Sequence, residues 1–432
     1  MSWGTPFSGQ RFAVVGLGRA GLASAVALAA MGADVVAWDD KDAARDAAVA
    51  AGIAVAQPDW TVTDALALSP GIPHRLPRPH PMAEAAIAHG VPVWTDAELL
   101  FRAVRATGSE ARFAGITGTN GKSTTTALLA HILTQAGIPN EAGANLGTPA
   151  LALPLLGDNG VYVLEMSSYM LDRLASLRFA AAAMLNLSAD HLDRHGDMGG
   201  YAAAKAHVFD RQTGADLAVV GIDDAWSQAM AQRLASGPAK LVRISQHDTP
   251  TARGRALPGA HNAQNIAAAT ALARALGADD AAINRGIESF PGLPHRQEIV
   301  TVRNGIPWIN DSKATNADST AWALACHDRI IWIAGGTAKE GGIESLAPYF
   351  PRIAHALLIG RDAPMLAATL AGQDVPHSVA GTLENAVTTA RGMTGDCVLL
   401  SPACASWDQF TGFDQRGDRF RALAQALPGE AV

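Results

Sequence analysis

Short apolar runs recur along the chain, each followed by a turn and then by a stretch with helical spacing, the pattern of alternating strands and helices. Arg11–Val15 predicts a first strand. Gly16-Leu17-Gly18-Arg19-Ala20-Gly21 follows it, then an alanine-rich helix to about Met31, with Gly32 as its C′ glycine. Asp34–Trp38 and Ala65–Leu68 predict further strands, the second leading into the turn Ser69-Pro70-Gly71-Ile72-Pro73. Prolines 77, 79 and 81 make His74–Pro81 a loop. A second unit opens with the strand Phe113–Ile116 and the segment Gly118-Thr119-Asn120-Gly121-Lys122-Ser123-Thr124. The next helix sets Leu128, Leu129, Ile132 and Leu133 on one face and stops before Gly137. Strands follow at Val161–Leu164, Ala182–Leu185 and Leu217–Val220. Phe290-Pro291-Gly292-Leu293-Pro294 reads as a connector, and a third unit carries strands at Ile330–Ile333, Ala356–Ile359 and Val398–Leu400. The pattern predicts three consecutive α/β domains, at 1–97, 98–293 and 294–432.

Length agrees with this, since 432 residues suit two or three domains. The charge balance is 33 basic against 40 acidic residues, so a basic face broad enough for a nucleic-acid backbone is not expected. Apolar residues make up 49% and charged ones 17%, enough to bury cores. Cys326, Cys397 and Cys404 form neither a disulfide framework nor a C-x-x-C zinc pair. The opening MSWGTPFSGQ lacks the features of a secretory signal. The longest apolar stretch, near Ala20–Ala33, ends at Asp34 before it could span a membrane. These features predict a soluble multidomain protein of a reducing compartment.

Two glycine segments carry the candidate chemistry. The first is G-x-G-x-x-G between strand and helix, with Asp39 eighteen residues after Gly21. It suits the pyrophosphate of NAD, another pyrophosphate ligand, or a tight turn without a ligand. In the second, Gly121-Lys122-Ser123 forms the core of a variant phosphate loop, with glycines at 115, 118 and 121 and Ile116 where the strict motif has glycine. Its backbone N–H groups would cradle phosphates, Lys122 would answer their charge, and Ser123 or Thr124 would hold Mg²⁺. Glu165, 43 residues beyond Lys122 at a strand's end, reads either as a Mg²⁺ ligand or as a helix cap before Ser167 and Ser168. His191 and His195 stand four apart, but Leu192 occupies the position of a zincin's glutamate, so that reading is rejected.

Eight segments, in one order over nearly the whole chain, resemble the Mur ligases of peptidoglycan synthesis: GITGTNGKSTTT (115–126), LEMSSYML (164–171), DHLDRH (190–195), YAAAK (201–205), LPGAHNAQN (257–265), GLPHRQE (292–298), NDSKATN (310–316) and LSPACASWDQF…FDQRG (400–417). NDSKATN, LSPACAS and SPGIP (69–73) are similar to the D-glutamate-adding branch, while the phosphate loop is shared with folylpolyglutamate synthases. The resemblance implies a Rossmann-like UDP-sugar domain, a central P-loop ATPase-like domain and a Rossmann-like glutamate-binding domain. It implies that ATP phosphorylates the carboxylate of UDP-N-acetylmuramoyl-L-alanine, and that the amine of D-glutamate attacks the acyl phosphate through a tetrahedral intermediate. A cytoplasmic monomer is expected, with no nucleic-acid or membrane partner.

The resemblance also assigns residues. Lys122, His191 and Lys205 are the catalytic set. Ser123, Glu165, His191 and Lys205, the last as a carbamate, would hold two Mg²⁺ ions. ATP would meet Gly118, Thr119, Asn120, Gly121, Lys122, Ser123, Thr124, Asn262, Asn265, Arg296, Asp311 and Lys313. The UDP-sugar would meet Gly16, Gly18, Arg19, Asp39, Ser69 and Asn145. Glutamate's two carboxylates need a cation and nearby donors; by resemblance Lys339, Thr315, Ser406 and Phe413 supply that pocket, unless Thr315 and Ser406 merely cap turns. The chain departs from the family at Met170, where glutamine is usual, at Asp39-Asp40-Lys41, where Arg19 or Lys41 would substitute for a missing arginine, and at Glu340, an extra acid after Lys339.

Overall fold

In the computed structural model, which describes residues 3–248, 252, 254, 256–339 and 341–428, the chain builds three sheets. The first has five parallel strands in the order β3-β2-β1-β4-β5: β1 (Arg11–Val15), β2 (Asp34–Trp38), β3 (Ala54–Val55), β4 (Ala65–Leu68) and β5 (Val93–Trp94). The second has six parallel strands in the order β11-β10-β9-β6-β8-β7: β6 (Arg112–Thr117), β7 (Asn140–Ala144), β8 (Val161–Glu165), β9 (Ala181–Met184), β10 (Leu217–Gly221) and β11 (Lys240–Ile244). The third runs β12-β13-β17-β14-β15-β16: β12 (Glu298–Arg303), β13 (Ile306–Asn310), β14 (Ile330–Gly335), β15 (Ile353–Ile359), β16 (His377–Gly381) and β17 (Cys397–Leu400). Only the β12–β13 pair in this sheet is antiparallel.

Parallel strands covered on both faces must be apolar throughout, and β4, β8, β9, β14 and β17 are buried at every position. Strand order reverses around β1, β6 and β14, and ligands of open α/β sheets bind at the carboxyl ends of strands at such switch points. The segments singled out in the sequence follow those ends: Gly16 after β1, Ser69 after β4, Gly118 after β6, Gly336 after β14 and Ser401 after β17.

Two details differ from the expected pattern. His74–Pro81 was expected as loop throughout, but Pro81 starts the helix Pro81–Ala88. A proline suits that first position because its missing N–H would have no partner there, and His80 caps the helix by accepting from the Met82 amide at 3.2 Å. The expected 97/98 boundary falls inside the helix Asp96–Ala106. Leu99, Leu100, Ala103 and Val104 of that helix are buried in one core with Phe12 of β1 and Phe113 of β6, so the first two sheets form one compact unit. The third sheet belongs to a second unit, with its own cores on its two faces.

Candidate active site

The phosphate loop joins β6 to the helix Lys122–Gln135 through two glycines with positive φ, Gly118 at +142° and Gly121 at +83°. Both are needed: a Cβ on Gly121 would stand 2.4 Å from Asn265 Oδ1. The Thr119 amide donates to the Asn186 carbonyl at 2.9 Å, and the Asn120 amide donates to Asn186 Oδ1 at 2.8 Å, which fixes the loop on the residues after β9. Asn265 closes the other side. It accepts from Thr125 Oγ1 at 3.2 Å, and its Nδ2 donates to Asn262 Oδ1 at 2.9 Å. Lys122 Nζ curls back to donate to the carbonyls of Gly118 and Thr119, at 2.9 and 2.7 Å. Ser123 is buried in the first turn of the helix and Thr124 is half-buried. Amides of a helix's first turn lack intrahelical acceptors and favour an anion.

Glu165 ends β8 in register with Ile116 of β6 and is buried. The capping alternative fails, because Ser167 is the residue that caps the short helix Ser168–Leu171. Oε1 of Glu165 accepts from Asn145 Nδ2 at 2.6 Å, while buried Oε2 has no hydrogen-bond partner among the described residues. A buried carboxylate oxygen without a donor is suited to a cation. Asn145, assigned by resemblance to the UDP-sugar, thus turns its amide to Glu165 in this structure.

Lys205 reaches the same strand ends from the helix Met198–Ala206. It is buried, and its Nζ donates to Gly118 O at 2.9 Å and Thr117 Oγ1 at 3.3 Å, above the Tyr201 ring at 4.8 Å. Burial, and then the nearby Lys122 ammonium, hold its pKa well below the ordinary lysine value. The amine is therefore biased toward the neutral, nucleophilic form from which a carbamate is made. His191 adopts φ +54° at the start of the turn Leu192–His195, half-exposed, with Nε2 3.5 Å from Asp190 Oδ2. Burial lowers its pKa, which keeps a nitrogen lone pair available as a ligand. His195 instead pairs with Ser168 Oγ at 2.9 Å, so the two histidines do not act as a pair on one ion. Among the described residues no three His, Cys, Asp or Glu side chains cluster as a metal site. Of the expected ligands only Glu165 and His191 are of those types, and the buried open Oε2 and the lowered His191 pKa fit a cation such as Mg²⁺.

At the first sheet, Gly16 has φ +86° and packs against the Ser69 turn; a Cβ there would lie 2.5 Å from Ile72 Cδ1. Gly18 precedes the helix Arg19–Ala30, and Arg19 is exposed at its start. Asp39 accepts from the Leu17 amide at 2.6 Å through Oδ2 and from the Lys41 amide at 2.9 Å through Oδ1. In a dinucleotide enzyme that carboxylate would take ribose hydroxyls; here it braces the glycine loop.

The second unit gathers the remaining assigned residues. Asp311 follows β13, accepts from Ser401 Oγ at 2.7 Å and the Gln297 amide at 3.2 Å, and is pushed up to about 7 by burial. Arg296 lies in the turn before it, its amide donating to Leu293 O at 3.3 Å. Lys313 Nζ sits 3.7 Å from the centre of the Phe413 ring, a cation–π contact. Thr315 is half-buried, and Asn316 rather than Thr315 caps the next helix by accepting from the Ser319 amide. Ser406 is buried, and the turn after it closes on its carbonyl, which accepts from the amides of Gln409 and Phe410. Thr337 and Ala405 exchange amide–carbonyl bonds of 2.8 and 2.9 Å, which joins the loop of exposed Lys339 to the segment of Ser406. Glu340 lies outside the described residues.

Arg416 received no role from the sequence, yet it organises this unit. Almost fully buried, it donates to Ser312 Oγ and O, Cys404 O and Gly335 O, at 2.9, 3.0, 3.1 and 3.3 Å. One guanidinium so ties NDSKATN, SPACAS and the Gly335 loop together. Its place in FDQRG was the only sequence signal. Asn186 gave none, because its role depends on the strand next to the phosphate loop.

Residues 116–255 match the Mur ligase middle domain. The chain is 49% identical to the UDP-N-acetylmuramoylalanine–D-glutamate ligase of Paramagnetospirillum magneticum over 97% of each chain. It is 46% identical to that of Rhodospirillum rubrum, over 98% of this chain and 95% of the relative. The fold is similar to a UDP-N-acetylmuramate-alanine ligase from Thermotoga maritima, with TM-score 0.60 and 19% identity over 96% of this chain and 99% of that one. A UDP-N-acetylmuramoylalanyl-D-glutamyl-2,6-diaminopimelate–D-alanyl-D-alanyl ligase from Acinetobacter baumannii gives 0.59 and 16%, over 97% and 91%. By this near full-length identity the chain belongs to the UDP-N-acetylmuramoylalanine–D-glutamate ligase family, within the Mur ligases.

Proposed function

We propose that the protein joins D-glutamate to UDP-N-acetylmuramoyl-L-alanine at the expense of ATP, in the synthesis of peptidoglycan precursors. The observation that carries this reading is the meeting of Lys122 and Lys205 beside a phosphate loop whose neighbouring strand ends in Glu165 with an open, buried oxygen. The names of the relatives supply the substrates.

The L-alanyl carboxylate attacks the γ-phosphorus of ATP, forming an acyl phosphate and releasing ADP. The glutamate amine then adds to the acyl carbon, and the tetrahedral intermediate expels phosphate as the amide forms. Loop amides and the Lys122 ammonium stabilise charge on the transferring phosphoryl group. Ser123, Glu165, His191 and carbamylated Lys205 would hold Mg²⁺, which supplies charge neutralisation between two anionic substrates. Asn262, Asn265, Arg296, Asp311 and Lys313 bind ATP; Gly16, Gly18, Arg19, Asp39, Ser69 and Asn145 bind the nucleotide sugar; Thr315, Lys339, Ser406 and Phe413 bind glutamate. In this reading residues 1–97, 98–293 and 294–432 are the three functional domains of a cytoplasmic monomer. Among the described residues no helix is long and apolar enough to cross a membrane.

Phosphate release with ATP, the muramoyl-L-alanine nucleotide and D-glutamate tests the proposal. Titration with NAD tests the NAD reading of the Gly16–Gly21 segment. With Asp39 committed to the Leu17 and Lys41 amides, no NAD binding is expected.

A further inference from the structure

We infer that Arg173 is a positioning residue for the nucleotide-linked substrate, holding the Ser69–Pro73 turn and through it the Gly16–Gly21 loop. The inference rests on the functional reading above, which places that substrate at the carboxyl ends of β1 and β4. Arg173 follows the short helix Ser168–Leu171 of the central sheet's layer and is 4% exposed. Its Nε donates to Tyr169 O at 3.0 Å, and one terminal nitrogen donates to Leu68 O at 2.7 Å and Ser69 O at 3.4 Å. Among the described residues the other terminal nitrogen, though buried, has no hydrogen-bond partner. Every acceptor is thus a backbone carbonyl. A buried guanidinium whose hydrogen bonds all go to carbonyls, with the Asp172 and Asp96 carboxylates acting on it only through space and a donor left over, is a costly way to fill space.

Its position suggests what it does. Ser69 carries the contact to Arg173 on its carbonyl and donates from Oγ to Gly16 O at 2.7 Å, so a single residue separates the guanidinium from the glycine loop. That loop has no slack, because a Cβ on Gly21 would stand 1.7 Å from Gly16 O. Displacing Ser69 therefore displaces the loop amides expected to face the diphosphate. Charge acts in the same direction. Carbonyl oxygens at the carboxyl end of β4 present partial negative charge where an anion must approach, and a buried cation offsets them with little screening. Arg194 treats a later carbonyl of the turn alike, donating to Gly71 O at 2.9 Å.

Steady-state kinetics of Arg173→Met and Arg173→Lys, with melting curves of both, test the inference. The methionine variant should raise KM for UDP-N-acetylmuramoyl-L-alanine about tenfold, equivalent to about 1.4 kcal/mol. KM for ATP and D-glutamate should stay within about twofold, and kcat should change far less than KM. Lysine keeps the charge and loses the fork, so its rise should be about threefold. A folded methionine variant with unchanged KM for the nucleotide, or with all three KM values raised alike, overturns the inference. Should the methionine variant not fold, the absence of a selective KM rise in Arg173→Lys overturns it. A wild-type enzyme that does not turn over the nucleotide at all would instead refute the functional reading.

Discussion

Lys122 and Lys205 donate to the same acceptor, the carbonyl oxygen of Gly118, each Nζ at 2.9 Å. Two ammonium groups on one oxygen repel, and the buried member gives way: Lys205 loses its proton more readily, first through burial and then through Lys122. Half-buried Lys122 is suited to phosphate charge, and fully buried Lys205 to losing its proton.

Lys205→Ala should lower phosphate release by at least about a hundredfold. Short carboxylic acids such as formate or acetate should restore part of it by occupying the place of the carbamate. Full activity in the variant would remove Lys205 from the site.

Lys122→Ala should nearly abolish turnover and leave the melting temperature close to that of wild type. Its side chain is only half-buried, and in the proposed reaction it balances charge during phosphoryl transfer. Retained phosphate release by a folded variant would contradict the role given to the loop.

Asp311 gives a pH signature. Its pKa is about 7 in the folded chain against 3.8 as reference, so between those values the native state holds a proton that the unfolded state has released. Stability contributed by this group is complete below pH 3.8, falls as pH rises, by up to about 1.4 kcal/mol per pH unit, and is gone above pH 7. Asp311→Asn removes that loss. The variant's melting temperature relative to wild type should therefore be higher at pH 8 than at pH 5. An offset independent of pH would show that Asp311 is not the titrating group.

Glu98 behaves in the opposite sense. Its buried carboxylate accepts from the amides of Ala175, Ser176 and Leu177, from Ser176 Oγ and from Arg102 Nε. Burial alone would raise its pKa, but the Ser176 hydroxyl and the three amides together hold it below the ordinary value. Its stabilisation is present above the unfolded pKa, 4.5, and is lost as pH falls through the lower folded value. Glu98→Ala leaves those amides without their acceptor and should cost about 3 kcal/mol near neutral pH. Denaturant titration measures this, and a cost below about 1 kcal/mol, the range of an exposed pair, would contradict it.

The strands legible in the sequence were interior ones. β1, β2, β4, β6, β8, β9, β10, β14, β15 and β17 read as apolar runs, whereas interior β13 and the six edge strands β3, β5, β7, β11, β12 and β16 did not. An edge strand needs little apolar character; β7 is Asn-Glu-Ala-Gly-Ala and β11 has a single buried residue, Ile244. Site residues were legible where chemistry demands a fixed local spacing, as at Gly118–Thr124. Glu98, Arg173 and Arg416 were not, because each takes its meaning from carbonyls or amides far along the chain. At Glu165 the sequence allows two readings, and the cap on Ser167 removes the one that makes Glu165 a helix cap.

The central claim is the amide bond to D-glutamate. Its direct test is ATP-dependent phosphate release with UDP-N-acetylmuramoyl-L-alanine, in parallel assays containing D-glutamate, L-glutamate, meso-diaminopimelate or L-alanine. Release is expected with D-glutamate alone. Release confined to any of the other three amino acids, or release independent of the amino acid supplied, would contradict it.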